Sequence, residues 1–390
     1  MDKTIKILIL VDLSEEYARA LLRGVSKYAE INGPWSFCKM PLSYREKYGI
    51  TGILNFAKNW GADGIIAQLY NTKDVKKLID SGICIIAQDF KNRFEGIPNL
   101  TGNYFQTGVL AAEYFLSKGY ENYAFSGFSE YVWSRERYDG YSERLQKAGL
   151  NVHLFNTVET PEHEMWYYND SPLSQWLLNL PKPLAVLTCD DRHANQLVEA
   201  CRINKIKVPD QVAILGVDND EVICNMSNPP ISSIALDVEN AGYKIGELME
   251  SMIKKEKDFY EDVIVEPTTI ITRQSTDIFA IKDDQVLKAL RYISENINDK
   301  VQVSDVLQSI PLCRRSLEKR FISIIGRSIY QEILRQKMER ASFLLLESNL
   351  TVSDIAIQCG LDDDKNFSRL FQKNNKISPL QFRKKFGKLN

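Results

Sequence analysis

Five aspartates in this 390-residue chain stand at the ends of short apolar runs: Asp12 after Val11, Asp89 after Gln88, Asp190 and Asp191 after Cys189, and Asp218 after Val217. A single one has a plain explanation, because the residue after a strand commonly caps the helix that follows. Capping accounts for one or two of the set. A rim of carboxylates accepts charge-strengthened hydrogen bonds, which suits a neutral polyhydroxylated ligand. It repels phosphate, and neither a G-x-x-x-x-G-K-[ST] nor a G-x-G-x-x-G run occurs. Arg137 adds a guanidinium fork, and Trp133 and Trp166 offer flat apolar faces for the C–H edge of a sugar ring, although a lone tryptophan more often serves as core. Glycoside hydrolysis is the alternative use of paired carboxylates. No catalytic motif accompanies them, so the chain is expected not to be an enzyme. Three histidines and seven cysteines form no C-x-x-C or H-x-x-x-H pair, which leaves neither a metal site nor a cofactor expected.

Such residues need a scaffold that gathers strand ends. Apolar runs at 5–11, 64–68, 84–88, 123–128, 184–189 and 212–217 alternate with amphipathic stretches at 15–30, 106–118, 135–148 and 193–203. The alternation predicts parallel sheet with helices on both faces, and ligands in such sheets bind beyond the carboxyl ends of the strands. No apolar run approaches the roughly 20 residues that cross a bilayer. The opening Met1-Asp2-Lys3 passes straight into the first strand, and the cysteine usage fits a reducing compartment, so a cytoplasmic protein without a membrane partner is expected.

The formal charge of −2 conceals a division. From Ile281 onward 20 Lys and Arg face 13 Asp and Glu, whereas the first 280 residues carry 29 against 38. A basic segment points to nucleic acid only when a motif supports it. Here one does: Val303-Ser304-Asp305-Val306-Leu307 returns 49 residues later as Val352-Ser353-Asp354-Ile355-Ala356, and the string from Ser316 to Phe321 returns from Asn366 to Phe371. Each unit reads as a helix-turn-helix, with Thr351 and Asp354 as a capping box, Gly360 as a helix stop, and Ser378-Pro379 opening a last helix. Residues 328–347 between the units read as one helix of about 30 Å, close to the ~34 Å repeat of a DNA duplex. Arg314, Arg315, Ser316 and Lys319 in the first unit, and Lys365, Asn366 and Arg369 in the second, are the candidates for DNA contact, with Ser316 and Asn366 suited to base edges.

The residues after 284 resemble the arabinose-regulator (AraC) family of double helix-turn-helix activators, most specifically in Ile355-Ala356, Gly360, Phe367 to Phe371 and Ser378-Pro379-x-x-Phe382-Arg383. Pro311 stands where the family has a turn glycine and Cys313 where it has a serine cap, so a weaker start is expected for the first recognition helix. Asp190-Asp191-Arg192-His193-Ala194, Ile214 to Asn219 and Arg137-x-x-Gly140-Tyr141 are similar to the sugar-binding signatures of the lac repressor and periplasmic sugar-binding protein superfamily. Asp190 departs from the usual Asn there, and the resemblance assigns ligand contact to Arg137, Asp191 and Asp218. Together these likenesses imply a two-lobed α/β sensor over 1–275, a linker over 276–284 and an all-α double helix-turn-helix domain over 285–390, with lobe crossovers near 100–103, 232–236 and 265–268. They further imply a monosaccharide effector, D-xylose before other pentoses, a double-stranded DNA operator, a homodimer, and RNA polymerase as a partner in activation.

Overall fold

In the computed structural model, residues 4–69, 72–156, 172–257, 259–277, 280–281, 283–361 and 364–386 are described. A first lobe is laid down by β1 (Ile5–Leu10), α1 (Glu16–Asn32), β2 (Trp35–Lys39), α2 (Leu42–Trp60), β3 (Gly64–Gln68), α3 (Thr72–Ile79), β4 (Cys84–Gln88) and β5 (Asn99–Gly102). A second follows with α4 (Tyr104–Ser117), β6 (Asn122–Gly127), α5 (Val132–Gln146), β7 (Val152–Asn156), α6 (Pro172–Asn179), β8 (Leu184–Thr188), α7 (Asp191–Ile203), β9 (Val212–Val217), α8 (Glu221–Met226) and β10 (Ser232–Leu236). The chain then returns to the first lobe as α9 (Val238–Lys254) and β11 (Val263–Val265), and ends the second with β12 (Pro267–Ile271).

The two sheets run β11-β5-β4-β3-β1-β2 and β12-β10-β9-β8-β6-β7. Every pairing is parallel except β10 with β12. Central strands are almost wholly apolar because helices cover both faces: β3, β8 and β9 are buried at every residue, with Gln68 and Thr188 as polar ends. Opposite Ile9 lies Ile66, and opposite Ile66 lies Ile86, a register that carries the residues after β1 and β4 to one edge. Leu187 opposite Leu215 does the same for β8 and β9.

In each lobe one helix pair packs backbone to backbone through glycine. A Cβ on Gly24 would lie 1.9 Å from the Glu239 carbonyl, which fixes α1 against α9, and one on Gly140 would lie 2.0 Å from the Phe105 carbonyl, which fixes α5 against α4. Three strand-to-element passages join the lobes, at Asn103, Asp237 and Glu266. They are tied to one another, since Asn103 N–H donates to the Val265 carbonyl at 2.8 Å and Asp237 N–H to the Glu266 carbonyl at 2.9 Å.

Among the described residues seven helices follow: α10 (Asp284–Glu295), α11 (Val303–Gln308), α12 (Arg314–Ile325), α13 (Ile329–Glu347), α14 (Val352–Gln358), α15 (Asp364–Asn375) and α16 (Pro379–Phe386). The repeat appears as two cores. Leu317 and Phe321 fill the one under α10 to α12, and the equivalent Phe367 and Phe371 fill the one under α14 to α16. α13 supplies Ile329 and Ile333 to the first and Met338, Ala341 and Leu345 to the second, so it is a shared spine. Capping boxes start α13 at Ser328 and α14 at Thr351. Cys313 begins α12 without a side-chain cap, as its sulfur predicts. Gly360 has a φ of 64° just past α14, and a Cβ there would meet the Asp299 carbonyl at 2.1 Å.

Candidate functional site

Two of the strand-end aspartates, Asp89 and Asp218, meet Tyr104 and Arg137 where the two lobes face each other. Asp89, after β4, is 1 % exposed and accepts hydrogen bonds from Thr101 Oγ1 at 2.6 Å and Tyr104 OH at 2.7 Å. Burial pushes its carboxyl up to about 6 against the pull of those two donors. Arg137 lies 5.4 Å over the Tyr104 ring and 5.4 Å over the Trp133 ring. Its guanidinium, 2 % exposed, donates to the Cys189 carbonyl and, at 3.3 Å, to Asp218 Oδ1. A continuous polar path thus runs Asp89, Tyr104, Arg137, Asp218 from one lobe to the other. Arg137 occupies the second turn of α5 and not its start, because the helix begins five residues earlier, at Val132.

Asp218 and Asn219 have φ of 101° and 51°, a conformation that L-residues adopt at a cost and that concentrates at functional loops. Neighbours hold it. Asp218 N–H donates to the Ile234 carbonyl at 3.0 Å, Asn219 N–H to Ser233 Oγ at 2.9 Å, and Arg273 Nη2 to Asn219 Oδ1 at 2.9 Å. Asp191 belongs to this support: its Oδ2 accepts the Asp220 N–H at 2.7 Å, and its Oδ1 lies against Gly216, where a Cβ would come within 2.1 Å. Burial and the charge of Asp218 raise its carboxyl well above the usual range. Asp191 therefore packs against the loop that bears Asp218.

Asp190 caps α7 through the His193 N–H at 2.8 Å and pairs with His193 Nδ1 at 2.7 Å. Burial opposes charge on both groups, and their mutual attraction outweighs it, holding Asp190 below and His193 above their ordinary ranges. Cys189, Asp190 and His193 place ligand-type atoms within 4.8 Å of one another, a cluster that the linear spacing did not suggest. The Asp190–His193 ion pair occupies two of its three members. Asp12 is half-buried and its Oδ1 accepts the Ser14 N–H at 2.9 Å, the local turn role of a strand-end aspartate. Trp133 stacks on Tyr131 at 5.4 Å and 10°. Trp166 lies outside the described residues.

Other residues, which the sequence reading passed over, complete the facing surfaces. Tyr17 on α1 is half-buried, with its hydroxyl buried and unpaired among the described residues, as is Arg137 Nε. Burial, then the charges of Asp89 and Asp218, push that phenol far up. Ion pairs join the lobes around it: Glu15 with Arg192 at 2.8 Å, Arg19 with Asp220 at 3.2 Å, and Arg93 with Glu136 at 2.6 Å in a bidentate pair. Burial pushes Glu15 up to about 7, partly offset by Arg192. Arg192 had a visible signal in the string around Asp190, and Tyr104 follows the first crossover directly.

At the other end of the chain, Arg314, Arg315, Lys319 and Arg369 are exposed, with Ser316 and Asn366 half-buried beside them. Arg314 pairs with Glu318 at 3.1 Å, and Arg369 donates to Asn366 Oδ1 at 3.2 Å. The side chain of Lys365 lies outside the described residues. No acidic residue occupies the first turn of α12, where Arg314 and Arg315 stand. Cations at a helix N-terminus are disfavoured by roughly 0.3–1 kcal/mol, so their placement suits an external anion.

Residues 112–276 match the family described as periplasmic binding protein-like domain, and residues 309–385 the helix-turn-helix domain. The xylose operon regulatory protein of Haemophilus influenzae is 27 % identical, the match covering 97 % of this chain and 98 % of that protein. Its counterpart in Escherichia coli K12 is 26 % identical over 97 % and 96 %. A solved xylose-binding transcription activator superposes with a TM-score of 0.61 at 23 % identity, covering 99 % of this chain and all of the other.

Proposed function

We propose that this chain, a homologue of the xylose operon regulatory proteins that joins a periplasmic binding protein-like sensor to a helix-turn-helix domain, takes D-xylose in the cleft between its lobes and in response switches on genes for pentose use. As a class it is a sugar-responsive DNA-binding transcription regulator. The observation that carries the ligand reading is the path Asp89–Tyr104–Arg137–Asp218, which spans the cleft with carboxylates at both ends, a guanidinium in the middle and two aromatic rings against it. Carboxylates accept from sugar hydroxyls, the guanidinium donates, and the rings cover the C–H faces. A pentose is neutral, so no charged group on it has to be matched.

The tail reads DNA through α12 and α15, with Arg314, Arg315, Lys319, Lys365 and Arg369 divided between phosphates and base edges, and Ser316 and Asn366 at base edges. α13, with 19 residues, separates the two units by about 28 Å at 1.5 Å per residue, close to one duplex turn. In this reading the chain is a cytoplasmic homodimer that contacts RNA polymerase at the promoter. Among the described residues no helix is long and apolar enough to cross a membrane. Calorimetric titration with D-xylose, D-ribose, L-arabinose, D-glucose and xylobiose tests the ligand: D-xylose should bind most tightly, and a tighter pentose or xylobiose would reassign the effector.

A further inference from the structure

The tail rests on both lobes at once. α13 packs beside β12 of the second lobe, and Arg335 lies within electrostatic reach of Tyr114 on α4. The connection before it is pinned to the same lobe, where Ala280 N–H donates to the Lys118 carbonyl at 2.9 Å. α16, by contrast, reaches the first lobe: Asn240 Nδ2 on α9 donates to the Lys385 carbonyl and, at 2.6 Å, to Asp237 Oδ1. Asp237 is itself a crossover residue, bonded to Glu266, whose Oε2 accepts Asn103 Nδ2 at 2.9 Å. One hydrogen-bonded run therefore leads from the last helix of the tail through all three crossovers.

Within the tail α13 and α16 are a single body. Phe382 is buried in the same core as Leu345 and Phe371, and Arg383 Nε donates to the Leu345 carbonyl at 3.4 Å. A body fixed to both lobes cannot follow both when they rotate about the crossovers, so one attachment has to yield. The wider one is on the second lobe. Ion pairs across the cleft, Lys91 with Glu130 among them, mark the lobes as closed in the arrangement that holds α16 against α9.

We propose that α16, through the Asn240–Lys385 contact, straps the DNA-binding domain to the hinge of the closed sensor, so that lobe closure sets the orientation of the second helix-turn-helix unit and lobe opening releases it. The proposal rests on the sugar-responsive reading above. Its content is linkage: a contact present in one sensor state only converts the sugar's preference for that state into a change in the tail, and the coupling is reciprocal.

The test uses the full chain and a labelled duplex selected against it from a random-sequence pool, with fluorescence anisotropy measured with and without D-xylose. Asn240→Ala removes the donor without touching the cleft or the recognition helices. Its affinity for the duplex without sugar should equal that of the parent, while the gain on adding xylose should shrink about five-fold, as for one hydrogen bond of ordinary strength. Asn240→Gln, which keeps the amide donor, should recover most of the gain. Equal gains in the parent and Asn240→Ala overturn the strap while leaving the functional reading intact. A parent whose affinity ignores xylose overturns both.

Discussion

Replacing Asp218 by Ala tests the cleft where its chemistry is concentrated. The side chain accepts from Arg137 Nη2 at 3.3 Å and is 23 % exposed, so water already weakens that ion pair and the full cost of breaking a buried one does not apply. What remains on the sugar side is one charged hydrogen bond of about 1.5–3 kcal/mol, equivalent to a loss of roughly 10- to 150-fold in xylose affinity. Arg137 keeps the Cys189 carbonyl and both ring faces, so it stays in place. Asp218→Asn retains an acceptor and should fall between the two. The assay is calorimetric titration of each variant with D-xylose, beside thermal melting and duplex binding without sugar. Binding to the duplex without sugar should be unchanged, because the tail has its own cores. Xylose affinity within two-fold of the parent, in a folded Asp218→Ala variant, would refute the assignment.

The pH dependence of the lobe contact follows from Glu15. Its carboxyl is raised from 4.5 to about 7, so the folded chain holds a proton that the unfolded chain has lost between those values. Its contribution to stability is complete below about pH 4.5 and declines as pH rises through 7. Melting temperature against pH should fall less steeply over that window in Glu15→Gln, and parallel curves would exclude the group. In the tail, Arg315→Ala should lower affinity for any duplex and reduce the salt slope by about one, as for a single phosphate contact. A changed base preference in a repeat of the pool selection would instead make Arg315 a base reader. DNase protection by the parent should cover two segments about one helical turn apart, and one short segment would contradict double reading.

The central strands were legible because each is a continuous apolar run between helices: the residues of β3, β4 and β9 coincide with the runs at 64–68, 84–88 and 212–217. β2 and β7 escaped notice because they are edge strands. Trp35–Lys39 and Val152–Asn156 are half-exposed and mix polar with apolar residues, which breaks the run that marks a central strand. The tail repeat was readable since each unit must fill its own small core with the same residue types at the same places, Phe321 and Phe371 above all. At the cleft, charge placed Asp89, Arg137 and Asp218 together, yet could not separate Asp191 from Asp218. Both follow strands, and only the turn at Asp218, with its φ of 101°, marks off the one that meets Arg137 from the one that accepts the Asp220 N–H. Tyr17 was invisible for a different reason: an aromatic on a helix looks like core until the fold brings Asp89 of its own lobe and Asp218 of the other to bear on its hydroxyl.

The most direct test of the whole account is the affinity of the full wild-type chain for a selected duplex, measured by anisotropy as D-xylose is added. Coupling between sites typically amounts to about 5- to 150-fold. The account predicts tightening in that range, saturating at the xylose concentration that fills the cleft in calorimetry. Duplex affinity that stays constant while calorimetry shows the cleft filling with xylose would contradict it.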